Sequence, residues 1–149
     1  MAWDGPDTLA RLRAELPAWI AKVRPRALGW YPGGPAATLD ADLRDRSKAG
    51  RYSWPPRGVT VAELKADTPA VCMGFSALVD QRQVVHSGQQ LLTTQIEQAE
   101  KLYVPGERWV FARRGVGQVD AVYAAAGAVH LARTLPTTRK VSRRARAGA

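Results

Sequence analysis

The sequence predicts an α/β domain in which helices cover a sheet, and three observations carry that expectation. Apolar residues recur at three- and four-residue steps in several stretches, the period of a helix with one buried face. Between those stretches lie short apolar runs bounded by Pro and Gly, as strands are. A last segment, from Asp120 to Ala132, is helix-forming, small-sided and almost uncharged, so it must be packed on most of its surface.

Taken in order, Gly5-Pro6 is a turn, and Asp7 or Thr8 can cap a helix whose stripe is Leu9, Leu12, Leu16, Trp19, Ile20 and Val23. Pro17 should kink or break that helix, and Pro25 should end it. Ala27 to Tyr31 reads as a buried strand running into the turn Pro32-Gly33-Gly34-Pro35. A second helix then carries Ala36, Leu39 and Leu43 to about Arg46. The loop from Ser47 to Arg57 combines Lys48, Arg51 and Arg57 with Tyr52 and Trp54, which suits either contact with DNA or an exposed connection held by aromatic anchors.

Val59 to Val61 is the next strand, and Thr68 before Pro69 opens a helix through Val71, Phe75, Leu78 and Val79. Gln83 to His86 looks extended, and after Ser87-Gly88 a helix with Leu91, Leu92, Ile96 and Ala99 on one side should run until Pro105-Gly106. Trp109 to Phe111 is a short strand, and the last helix begins near Val119 or Asp120.

With 149 residues, 46 % of them hydrophobic, the chain fits one domain that folds without metals or disulfides. We expect that domain over residues 1–136 and a basic, disordered tail over 137–149. No run approaches the roughly 18 to 20 apolar residues of a membrane span, and the N-terminus lacks the order of a signal peptide. The expectation is a soluble protein of the cytoplasm. Cys72 is the single cysteine, which excludes an internal disulfide or a cysteine zinc cluster and suits a small core residue. Net charge is +9, which favours a polyanionic partner such as DNA. No acid follows Asp120, while Arg133, Arg139, Lys140, Arg143, Arg144 and Arg146 crowd the end of the chain.

Asp120 is the first candidate for chemistry, because a carboxylate in the first turn of an apolar helix is stabilised there and can face a groove. Acids in that position also serve simply as helix caps, and both readings stay open on the residues alone. His86 and His130 have no second ligand at metal spacing, and Ser76 and Ser87 have no evident acid and base partners. There is no Walker A loop, and Gly115 and Gly117 make too short a turn to hold a nucleotide.

Several segments occur in one order: Val85-His86-Ser87-Gly88 with Leu91-Leu92, Trp109 to Arg114, Gln118-Val119-Asp120-Ala121, and Ala124-Ala125-Ala126. Together they resemble the end of the large terminase subunits of tailed phages, especially actinobacterial ones. Trp30 to Ala37 is similar to that family's strand-to-helix turn, and Ala132 to Pro136 to its common ending. The resemblance implies a partial ribonuclease H-like fold, with a mixed sheet, flanking helices and the Ala27–Tyr31 strand central. It also implies a part in metal-dependent DNA cleavage during genome packaging, with Asp120 as catalytic residue and ligand to Mg²⁺ or Mn²⁺.

Arg113, Arg114, Arg139, Lys140, Arg143 and Arg144 are the candidate contacts to double-stranded DNA, and the remaining terminase, a small terminase subunit and the portal are the implied partners. Two departures bear on competence. By the resemblance, the strand that carries the first carboxylate is expected to precede this sequence, and Tyr31 stands where the second is expected; Asp4 and Asp40 are the acids left to substitute. A phenol, protonated until about pH 10, is a poor magnesium ligand. The isolated chain is therefore expected to cut poorly or not at all, and an unpaired sheet edge is expected to promote self-association. The alternative is a non-catalytic DNA-binding or packaging-accessory module that uses the basic residues.

Overall fold

A computed structural model describes residues 7–31, 36–50, 53–64 and 68–136. Helix α1 spans Thr8–Val23 and buries Leu16 and Ile20. It continues through Pro17, so the interruption expected there does not occur. Proline removes the amide that would bond the Arg13 carbonyl, and the Arg46 guanidinium from the next helix donates to that carbonyl instead, at 3.5 Å. Asp7 takes the N-cap position without a side-chain cap bond. Arg24 ends the helix in a left-handed conformation, its amide donating to the Ile20 carbonyl at 2.7 Å.

Strand β1, Ala27–Trp30, leads into helix α2, Ala36–Lys48, and strand β2, Thr60–Glu63, which starts one residue later than the sequence suggests. The two strands pair in parallel with Ala27 opposite Thr60 and Trp30 opposite Glu63, so β1, α2 and β2 form one crossover unit. Alternation along β1 assigns its faces. Leu28 and Val61 turn toward Leu16, Ile20, Leu43 and Trp54, a core built from α1, α2 and the segment before β2. The Arg13–Asp42 ion pair, 2.6 Å, ties the two helices together. Trp54 is buried here, its amide donating to Ser47 Oγ and its indole Nε1 to Asp40 Oδ1, both at 3.0 Å. The Ser47–Arg57 stretch is thus held by an aromatic anchor, while Arg51 and Tyr52 lie outside the described residues.

Helix α3, Thr68–Asp80, buries Val71, Cys72 and Phe75. The extended stretch expected at Gln83–His86 joins no strand among the described residues, and Val85 is almost fully exposed. Helix α4, Gln90–Gln98, then ends well before Pro105. Residues Ala99–Val104 form strand β3, which makes an antiparallel hairpin with strand β4, Arg108–Arg113. This corrects the long helix expected here: pairing lets Trp109 be buried and Phe111 partly so, and Gly106 and Glu107 supply the positive-φ turn between the strands. Phe111 packs edge-on against Phe75 of α3 at 6.3 Å.

Helix α5, Asp120–Thr134, buries Val122, Ala126 and Gly127. It joins α3, α4 and the hairpin in a second core around Val71, Phe75, Val122 and Ala126. Its other contact is with β1, where Leu131 covers Gly29 so closely that a Cβ there would lie 2.5 Å from Leu131 Cδ1. The β1–β2 layer therefore has helices on both faces. In place of one mixed sheet, the described residues hold two separate two-stranded sheets, one parallel and one antiparallel. Helix α5 stands between them, with Tyr123 touching Tyr31 beyond β1 and Phe111 on β4 at ring distances of 5.2 and 5.9 Å.

Candidate functional site

A cleft of about 980 Å³ runs along β1 and the full length of α5. Its floor is Arg26 to Tyr31, and Trp19 and Pro25 line it on the α1 side. Positions 120, 123–124, 127–128, 131–132 and 135 line it on the α5 side, one continuous helical stripe. Asp120 sits at the end where β1 leaves the sheet at Tyr31 and β2 at Leu64. In open α/β layers ligands bind beyond the carboxyl ends of parallel strands, and Asp120 is exposed at that place.

The start of α5 is fixed from outside the helix. Val119, at the N-cap, offers no side-chain bond. Gln95 of α4, only 4 % exposed, supplies its Oε1 to the Ala121 amide at 2.7 Å and so takes up one of the first-turn donors. Sequence reasoning missed Gln95, because a glutamine inside an amphipathic helix gives no sign that its amide will meet another helix end.

Tyr31 does not stand in for a missing carboxylate. Its hydroxyl donates to the Tyr123 carbonyl at 3.2 Å, and its ring packs edge-on against Tyr123. A Cβ on Gly127 would come within 3.4 Å of the Tyr31 hydroxyl oxygen and 2.7 Å of Leu64 Cδ1, so glycine is what allows this approach. Burial, with a smaller contribution from Cys72, pushes the phenol of Tyr31 up from its ordinary value. The same causes push Tyr123 up to about 12. Its hydroxyl donates to the Phe111 carbonyl at 2.8 Å. Burial also raises the Cys72 thiol, which is fully inaccessible and packs as the core residue expected. Tyr31, Tyr123 and Cys72 form a neutral, hydrogen-bonded core wall.

Among the described residues no three His, Cys, Asp or Glu side chains gather to hold a metal ion. Asp40 is committed elsewhere, one oxygen accepting from Trp54 and the other from Arg44 at 2.7 Å. Asp4 lies outside the described residues. A two-metal centre is therefore not assembled from the residues described, and Asp120 is the one acid among them that lines the cleft. His86 is exposed, with Nδ1 accepting from the Gly88 amide at 3.2 Å. His130 is half-buried beside Val129 and Arg133 in a shallow groove between α3 and α5.

Arg113 and Arg114 lie on the exposed segment just before α5. Arg114 forms a 2.6 Å ion pair with Glu100 across the hairpin, an exposed pair that phosphate can displace at little cost. Arg139, Lys140, Arg143 and Arg144 fall outside the described residues. No helix among the described residues is long and apolar enough to cross a membrane.

Neither a family model, a curated protein nor a solved structure matches the chain.

Proposed function

We propose that the chain is part of the nuclease domain of a tailed-phage terminase large subunit, catalytically incomplete by itself, with Asp120 as one ligand of a Mg²⁺ or Mn²⁺ site and the remaining ligands supplied from outside the described residues. The observation that carries this reading is the position of Asp120. It is an exposed carboxylate on the first turn of a helix laid across a parallel β-α-β unit, level with the carboxyl ends of both strands. The order of elements supports it: a helix, a strand, a crossover helix and a parallel neighbour, then an Asp-led helix on the opposite face, is compatible with the later half of a ribonuclease H-like domain. Exposed Arg113 and Arg114 stand seven and six residues before Asp120 on the chain and supply cations suited to the phosphates of a duplex.

A non-catalytic DNA-binding module is the second reading, favoured by the lack of a three-ligand cluster among the described residues. Both readings predict binding to duplex DNA that weakens steeply with salt, and they part at Asp120. Paramagnetic broadening by Mn²⁺ in NMR spectra should centre on the amides next to Asp120 and vanish in Asp120→Asn, while plasmid cleavage by the isolated chain stays at the EDTA background. Broadening that is equal in wild type and mutant would overturn the nuclease reading and leave the accessory module.

A further inference from the structure

We infer that the cleft along β1 is a docking site for an extended strand of a separate polypeptide, apolar at alternate positions and acidic at the end that lies beside the α1–β1 turn. The inference goes beyond the nuclease reading and holds whether or not Asp120 binds a metal.

The first ground is the backbone of β1. The Arg26 and Trp30 carbonyls accept from the Thr60 and Leu64 amides at 3.1 and 2.8 Å, so the even-numbered residues point toward β2. By the alternation of a strand, the amides and carbonyls of Ala27, Gly29 and Tyr31 point the other way, and they have no partner among the described residues. These groups are half-buried on the floor of the cleft, where apolar walls replace much of the water that would otherwise satisfy them. Three donors and three acceptors at two-residue spacing match the ladder of an added strand and no other common ligand.

The second ground is the shape of the walls. β1 is covered on both faces, by the α1–α2 core through Leu28 and by α5 through Leu131, yet among the described residues it has a strand on one side only. The α5 wall offers Ala124, Ala128 and Ala132, exposed and small, and Trp19 stands on the α1 side. Side chains of an incoming strand alternate between those two walls.

Charge selects the partner. Lys22 in the last turn of α1 and Arg24 and Arg26 in the α1–β1 turn are exposed at one end of the cleft, beside the end of α5. The turn and the end of α5 are joined, since Arg26 donates to the Leu135 and Pro136 carbonyls at 2.7 and 3.3 Å. Among the described residues no ion pair involves these three cations, and the only acid that lines the cleft, Asp120, is at its far end. Acidic residues on the incoming strand complete that end, which also disfavours a second copy of this strongly basic chain.

The test uses the full chain and a fluorescein-labelled peptide of two glutamates followed by six alternating valines and threonines. Anisotropy should show saturable binding, at least tenfold weaker for a peptide with lysines in place of the glutamates and for Lys22→Glu/Arg24→Glu protein, which alters the rim and not the core. Ala128→Trp, which fills the cleft, should abolish binding, with circular dichroism showing that it is folded. Hydrogen exchange decides the geometry. The peptide should slow exchange at the Ala27, Gly29 and Tyr31 amides and leave Leu28 and Trp30, already bonded to β2, unchanged. Absence of binding, indifference to peptide charge, or unchanged exchange at those three amides would overturn the proposal. So would protection of the same amides in the free protein that grows with concentration, because the occupant would then be a second copy.

Discussion

Gln95 shows how a single buried side chain sets the site. Replacing it with Leu keeps the volume roughly constant but leaves the Ala121 amide buried without an acceptor, which costs about 1–3 kcal/mol. Urea unfolding of Gln95→Leu should show a midpoint lowered to that extent, whereas Gln95→Glu, which retains an acceptor, should lose less. Equal losses in the two variants would mean that packing, and not the bond to α5, is what Gln95 contributes. At the same scale Asp120 was legible from sequence, because an acid at the head of an apolar helix is visible in the order of residues. Its surroundings were not. Tyr31 occupies the expected second-ligand position with its hydroxyl taken up by the Tyr123 carbonyl, and no spacing rule carries the partner of a side chain.

Among the elements, α3 and α5 each contain one glycine in mid-helix, and the two have opposite meanings. A Cβ on Gly74 meets nothing within 4 Å, so Gly74→Ala should stabilise the protein by about 0.5–1 kcal/mol through helix propensity alone. On Gly127 the same Cβ would lie 2.7 Å from Leu64 Cδ1, and overpacking of about 1–3 kcal/mol should outweigh that gain. Thermal midpoints that rise for both variants would show that Leu64 yields freely. The helices and β1 were readable in the sequence because their apolar periods are strong. Strand β3 was not: Leu102 follows Ala99 at a helical step, and Glu100 and Lys101 favour a helix, so only pairing with β4 gives the segment its conformation. Pro17 misled for a related reason, since the carbonyl it orphans is taken up by Arg46 from another helix.

Across the whole molecule, three titratable groups are packed together beside the second core, and alkaline pH should find them. Cys72, Tyr31 and Tyr123 are each neutral when protonated, and burial raises all three above their unfolded values. The folded state therefore holds its protons more tightly, and this contribution is complete below the unfolded pKa values of 9.0 for the thiol and 10.0 for the phenols. As pH rises past them it is progressively lost, for Tyr123 until its folded value of about 12. A melting temperature that falls between about pH 8 and pH 11 is the expected outcome, and a flat profile would show that the wall is hydrated. Tyr123→Phe should flatten the decline while lowering the neutral-pH midpoint, because the bond to the Phe111 carbonyl is lost.

Composition and period determined that this chain forms a helix-rich α/β domain with a basic end and an Asp-led, small-sided last helix, since those properties reside in residue type and local order. The tertiary structure decided that the strands make two sheets and not one, that Gln95 fixes the head of α5, and that β1 is enclosed by helices with one edge open to a cleft. Those outcomes depend on which distant backbone groups and side chains meet, and the free energy of that meeting is written in no local stretch of the sequence.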